Sequence, residues 1–250
     1  MKFTVIVDRG MEHQTNDDAA CLKHNIIDDG KFSGRSERDE GIFAVADGVG
    51  SLEGSAAASR TAVFYMSECS PGNGQTIKEQ IVRANEEILS IRDEMQIHHD
   101  LSSTLCLVSV MGEQIVSFNL GNSRLYRYRN GSLLQLTKDQ SRVQQLCDAG
   151  YLEPDRMNEH PDKNIITSFI GNDAFDESWI SITEHREKFK NGDLLLLCSD
   201  GLHDYMGIDR IEEIMGQDMP IEMIVAKMVD EVNDSGGFDN VTVLIVEKVG

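Results

Sequence analysis

Two apolar runs in this chain each hand over an aspartate followed by glycine. Ile42-Phe43-Ala44-Val45-Ala46 delivers Asp47-Gly48, and Leu194-Leu195-Leu196-Leu197-Cys198-Ser199 delivers Asp200-Gly201. Near the C-terminus, Gly236-Gly237-Phe238-Asp239-Asn240 sets another aspartate just before the apolar run 241–246. Short apolar runs bounded by turn residues read as buried strands. Carboxylates held at the ends of such strands are costly to desolvate unless something positive lies between them. Several of them together suggest a metal cluster with oxygen ligands. Few histidines or cysteines accompany them, which favours Mg²⁺ or Mn²⁺ over Zn²⁺.

Other chemistries lack their residues. None of the five cysteines has an arginine six positions on, so a cysteine-phosphatase loop is absent. The Gly30-Lys31 pair lacks the upstream glycine of a phosphate-binding loop. No His-Glu-x-x-His and no Gly-x-Ser-x-Gly occurs, and the histidines are scattered apart from His98-His99, read as a pair on a solvent-facing helix. The formal charge of −20 excludes nucleic acid as an expected partner, since phosphate backbones require Lys and Arg. Such acidity in itself reads as a solubility feature.

The elements that must position these aspartates follow from periodicity. Strand-like runs occupy 3–8, 42–46, 104–110, 115–119, 125–129, 194–199 and 241–247. Helices are expected over 55–68, 76–98, 141–149, 208–215 and 220–232, the second on three- and four-residue spacing of Ile77, Ile81, Ala84, Ile88, Ile91 and Met95. Arg129-Asn130-Gly131-Ser132 and Met111-Gly112-Glu113 read as hairpin turns. Meanders around consecutive helices fit an α+β sandwich better than alternating βαβ units. With 250 residues, no repeat and no linker, a single domain is expected, with 148–172 as a charged surface excursion beside the site. No stretch approaches the ~18 apolar residues of a membrane span, and dispersed, odd-numbered cysteines favour reduced thiols in a cytoplasm.

The ordered set Asp8-x-Gly10-x5-Asn16-Asp17-Asp18, Val45-Ala46-Asp47-Gly48-Val49-Gly50, Ser103-Thr104 and Gly121-Asn122-Ser123-Arg124 opens a wider pattern. It continues through Leu136-Thr137-Lys138-Asp139-Gln140, Ser199-Asp200-Gly201 and Asp239-Asn240-Val241-Thr242. This order resembles the metal-dependent type 2C serine/threonine protein phosphatases, over residues 8 to 246. The resemblance implies a four-layer αββα sandwich, two antiparallel sheets flanked by helices, with two Mn²⁺ or Mg²⁺ ions at one edge. It implies that Asp47 bridges the ions, that the Gly48 carbonyl holds one, and that Asp200 and Asp239 hold the other. Asp18 would hold metal-bound water, with Asp17 at a position where the family usually has Glu; a solvated turn or a helix cap is the plainer role for Asp18. The implied reaction is attack of a metal-bridging water on phosphoserine or phosphothreonine in proteins, without a phosphoenzyme. The implied setting is a cytoplasmic monomer opposing a Ser/Thr kinase.

Three departures qualify that reading. His13 stands where the family commonly has a phosphate-gripping arginine, and a histidine is charged only near or below a pKa of roughly 6.5. Asn122 replaces an aspartate often tied to a third, weaker ion, which leaves a third site doubtful; a strand-capping turn residue is its alternative role. Asp139-Gln140 replaces Asp-His, and no histidine follows Asp47-Gly48 to act as a general acid. A catalytically weak or silent member serving as a phospho-binding scaffold, or an unrelated carboxylate-metal hydrolase, therefore stand as alternatives.

Overall fold

The computed structural model describes residues 1–49, 54–97 and 101–250, so Gly50 and the His98-His99 pair lie outside the described residues. The first half runs β1 (Lys2–Asp8), β2 (Asp18–Leu22), β3 (Asn25–Ile27), β4 (Gly30–Arg35), β5 (Glu40–Val49), α1 (Ser55–Ser67) and α2 (Gly74–Glu94). A meander follows: β6 (Ser102–Ser103), β7 (Leu105–Met111), β8 (Gln114–Leu120), β9 (Arg124–Arg129) and β10 (Ser132–Gln135). The remainder is α3 (Arg142–Asp148), β11 (Ser181–Glu184), β12 (Leu194–Cys198), α4 (Asp200–His203), α5 (Ile208–Met215), α6 (Ile221–Asp234) and β13 (Val241–Glu247).

The strands form two antiparallel sheets. One is ordered β10-β9-β12-β13-β1-β4; the other is β11-β8-β7-β5-β2-β3, with β6 added beside β5. Side chains alternate between faces along a strand, and that alternation sorts the core into three layers. Phe43 and Val45 of β5 meet Leu195 and Leu197 of β12 and Leu244 and Val246 of β13 between the sheets. Ile42, Ala44 and Ala46 point the other way, under Ala58, Ala62 and Met66 of α1 and Ile77 and Ile81 of α2. Leu196, Cys198, Val243 and Ile245 likewise lie under Ile211 and Ile214 of α5 and Val225 and Val229 of α6. Helices on one outer face, two sheets, and helices on the other make the αββα sandwich. Strands covered on both faces read as unbroken apolar runs, which explains why β12 and β13 were so plain in the sequence.

The hairpin turns are present. Asn130 (φ 52°) and Gly131 (φ 80°) give β9–β10 the paired positive φ of a tight primed turn. Two expected bounds are corrected. The second helix stops at Glu94 rather than 98, because the chain turns out through Gln96 at φ 55°. Strand β5 does not end before Asp47 but continues to Val49, so Asp47 is carried within a ladder. No helix among the described residues is long and apolar enough to cross a membrane. The five cysteines are unpaired, four of them buried.

Candidate active site

The ladder register creates the site. Pairing of β2 with β5 sets Asp18 directly opposite Asp47. In the other sheet β12 pairs with β13, so Asp200, just after β12, emerges beside Asp239, just before β13. Asp47, Asp200 and Asp239 line a cleft of about 310 Å³, together with His13, Asp17 and Gly48 among others, while Asp18 is buried beside Asp47. The two sheets thus contribute two aspartates each.

Close backbone approach holds these segments together. A Cβ on Gly201 would sit 1.9 Å from the Asn240 carbonyl oxygen, and one on Gly10, at φ +73°, would sit 2.2 Å from that of Asp239. Asn240 clips the loop after β1 to this edge: its Oδ1 accepts from the Asp17 amide at 2.8 Å, and its Nδ2 donates to the Arg9 carbonyl at 2.7 Å. The Asp47 amide donates to Thr104 Oγ1 at 3.0 Å, and the Asp47 carbonyl accepts from the Thr104 amide at 2.8 Å. The Gly48 amide donates to the Asp17 carbonyl at 3.0 Å.

The electrostatics are those of crowded like charges. Burial pushes the Asp18 carboxyl up to about 7; the Ser199 hydroxyl, donating at 2.7 Å, partly offsets this, and the Asp200 and Asp239 charges add to it. Burial, then the charges of Asp200, Asp18 and Asp239, hold Asp47 well above the usual carboxylate range. Asp239, half-buried, is raised to about 6 by desolvation and by Asp200. Among the described residues no lysine or arginine pairs with any of the four; the nearest basic group is His13, whose Nε2 lies 3.5 Å from Asp239 Oδ1.

This donor set fits a hard divalent ion. The aspartates and the Gly48 carbonyl offer oxygen donors, and Asp18 Oδ1 is buried with no hydrogen-bond partner among the described residues. No three acidic, histidine or cysteine side chains among the described residues converge at coordinating distance. Mg²⁺-like ions keep several waters and need only one or two carboxylates, so ions shared along the cleft suit these residues better than one closed cage.

Each residue singled out in the sequence has a definite place. Asp18, Asp47, Gly48, Asp200, Asp239 and His13 are brought together. Asn122 does not merely cap a strand: its Nδ2 donates to Asp200 Oδ2 at 2.9 Å, and its carbonyl lies 3.1 Å from His203 Nε2. Asp139 is engaged elsewhere, forked by Arg124 at 2.7 and 2.9 Å. Gln140 is a stitch: its side chain takes the Gly121 amide and donates to the Trp179 carbonyl, while its backbone carbonyl accepts from Thr167. Sequence reasoning missed Ser199 and the Asn240 clip as supports, and missed Asn164 and Ile166, which reach the cleft from the 148–172 segment. The flanking Asp200 and Asp239 were the signal for the first two; nothing local marks the others.

The family model for protein phosphatase 2C matches residues 19–232. The chain belongs to the protein phosphatase 2C family. Within it, the serine/threonine phosphatase stp of Listeria monocytogenes serovar 1/2a is 28% identical over 247 residues, covering 95% of this chain and 96% of that protein. The crystal structure of the Mycobacterium tuberculosis serine/threonine phosphatase PstP/Ppp superposes with a TM-score of 0.84 at 24% identity, covering 99% of this chain and 98% of that one. A structure of the PstP catalytic domain in complex with two manganese ions gives a TM-score of 0.80 at 23% identity, covering both chains in full. The sandwich of this phosphatase 2C family member is therefore the fold of its solved relatives.

Proposed function

We propose that this chain hydrolyses phosphoserine and phosphothreonine in proteins, dependent on two Mn²⁺ or Mg²⁺ ions. The observation that carries the reading is three aspartates from two sheets lining one cleft, with Asp18 buried directly behind Asp47, and no lysine or arginine partner among the described residues. Family membership and the two manganese ions bound by PstP support it. Asp47, the Gly48 carbonyl, Asp200 and Asp239 would hold the ions. When bound, the ions supply charge neutralisation and water activation for an in-line displacement at phosphorus.

The chain's own residues do the rest. Asp18, fixed by Ser199 and buried beside Asp47, would serve as the proton acceptor for water. Asn122 orients Asp200 by donating to it. His13, at the cleft mouth beside Asp239, is the residue that would meet the phosphoryl oxygens. Residues 148–172 serve as a flap, which the position of Asn164 and Ile166 along the cleft supports. The proposed setting is a monomeric catalytic domain in the cytoplasm, acting on the products of a Ser/Thr kinase; the serine/threonine phosphatases among its relatives support the phosphoprotein substrate.

Phosphate release from a phosphothreonine peptide with Mn²⁺, and its loss with EDTA, tests the reading. Tight peptide binding without release at saturating Mn²⁺ would replace it with a phospho-binding scaffold.

A further inference from the structure

Large apolar side chains stand exposed beside the cleft, where an acidic protein would be expected to place charge. Phe238, immediately before Asp239, is 53% exposed, Met11 is 69% exposed and Tyr205 is 39% exposed. They belong to one rim. The Phe238 and Tyr205 rings lie 5.8 Å apart at 33°. Met11 donates its amide to the Gly237 carbonyl at 2.8 Å, and its side chain covers the place a Cβ on Gly237 would take.

The rim is built rather than incidental. Gly236, at φ +132°, lets the Phe238 ring fold back over its own backbone: a Cβ there would meet the ring at 2.3 Å. From the other side Lys163, in the 148–172 segment, sets its ammonium 5.9 Å from the Tyr205 ring centre while bonding Asp204 at 2.8 Å. Two rings held in place before a ligand arrives lose little freedom on binding, which is what makes an aromatic rim an effective contact surface. Clustered exposed apolar side chains of this kind mark contact sites.

We propose that Phe238, Tyr205 and Met11 form a platform for a large apolar side chain of the phosphoprotein, next to the residue being dephosphorylated. This rests on the phosphatase reading and deepens it. The occupant follows from continuity with the cleft. An extended peptide advances about 3.3 Å per residue, so a phosphoryl group beside Asp239 brings its nearest chain neighbours onto Phe238. The acidic body of the enzyme repels acidic flanks, and the rim itself offers apolar contact through Phe238, Met11 and Tyr205, which an apolar flank can bury.

The test uses phosphothreonine peptides of otherwise Ala and Gly, with one leucine moved through the positions on either side. The native enzyme with Mn²⁺ should prefer one leucine position by about 10-fold in kcat/KM, mostly through KM, the range one added apolar group supplies. Phe238→Ala and Tyr205→Ala should each bring that ratio towards one, and Phe238→Leu should retain most of it. All three side chains are exposed, so the substitutions spare the core. No preference in the native enzyme overturns the proposal, as does a preference untouched by both alanine variants. A concentration-dependent dimer abolished by Phe238→Ala also overturns it, assigning the rim to self-association. If no peptide is hydrolysed at all, the phosphatase reading has failed separately. The platform then stands on tighter fluorescence-anisotropy binding of the leucine peptide, and falls if that peptide binds no better than the alanine one.

Discussion

Asp47 carries two opposed roles that a single substitution separates. Its carboxylate sits against three others, and holding it there costs stability while serving ion binding. Asp47→Asn should lower kcat at saturating Mn²⁺ by at least ~100-fold, or ~3 kcal/mol of transition-state stabilisation. The same variant should melt higher than the native protein in EDTA, because one repelling charge has gone. Near-normal turnover in the variant would remove Asp47 from the centre. Asn122 is informative in the opposite sense. Since its amide donates to Asp200, Asn122→Asp exchanges a donor for a charge at 2.9 Å. In EDTA it should cost about 1–3 kcal/mol, the penalty of breaking a buried hydrogen bond. With Mn²⁺, calorimetric titration should show an additional weak binding step; a titration identical to the native one would discard position 122 as an ion determinant. His13→Arg should lower KM for phosphopeptides and flatten the dependence of KM on pH, since an arginine stays charged throughout. An unchanged KM profile between pH 6 and 8.5 would exclude His13 from the phosphate site.

At the level of elements, the short helix α4 and strand β13 meet at Gly201 and Asn240 with no room for a methyl group. Gly201→Ala must push α4 away, and overpacking of this kind costs about 1–3 kcal/mol. Because Asp200 and Asp239 adjoin those two contact residues, Mn²⁺ affinity should fall along with the melting temperature. A loss of stability with Mn²⁺ affinity intact would show that the contact is structural only. The elements legible in the sequence were β1, β5, β7, β8, β9, β12, β13, α1, α2, α3, α5 and α6, most of them covered on both faces or amphipathic. Strand β4 was invisible because Gly30-Lys31-Phe32-Ser33-Gly34-Arg35 is an exposed edge whose pairing with β1 is set by its neighbour rather than by its own composition. Strand β2 hid for a different reason: Asp18-Ala19-Ala20-Cys21-Leu22 is fully buried but holds no β-branched or aromatic residue, so it carries little strand signal. Asp47, Asp200 and Asp239 were legible because each adjoins an apolar run, whereas Asp18 was legible only through the family resemblance. Their mutual placement was not, since the Asp18–Asp47 pairing is a matter of register between segments that are distant in the chain.

For the molecule as a whole, the raised carboxyls link stability to pH with a definite sign. Asp18 and Asp239 titrate in the folded protein at about 7 and about 6, above an ordinary value of 3.8. Their contribution is therefore fully present below pH ~4 and lost as pH rises through 6 to 7, where the unfolded chain is already ionised. The EDTA-treated protein should lose several degrees of melting temperature between pH 5 and 8, and saturating Mn²⁺ should abolish that fall, because ions bind the ionised carboxylates. Acid-side behaviour runs the other way at Asp204. Its carboxyl is partly desolvated, yet the His203 and Lys163 partners hold it down to about 2. Its contribution is present above pH ~4 and fades only as pH drops towards 2. A melting temperature in EDTA that is flat from pH 5 to 8 would contradict the crowding described for the cleft.

Two aspartates come from each sheet, so any ion shared among them ties one sheet to the other across the open end of the sandwich. Ion occupancy then acts as a mechanical clasp as well as a reagent. An ion at 100 times its dissociation constant adds ~2.7 kcal/mol to stability by mass action, and that increment is felt where the sheets would otherwise part. Amide exchange should slow on Mn²⁺ addition in β2 and the end of β5 on one side, and at the β12–α4 junction and the start of β13 on the other. The far ends of the same strands should be little affected. The supply of divalent cation would then set how firmly the two halves of this enzyme are held together, and through that its lifetime before proteases, independently of how fast it turns over.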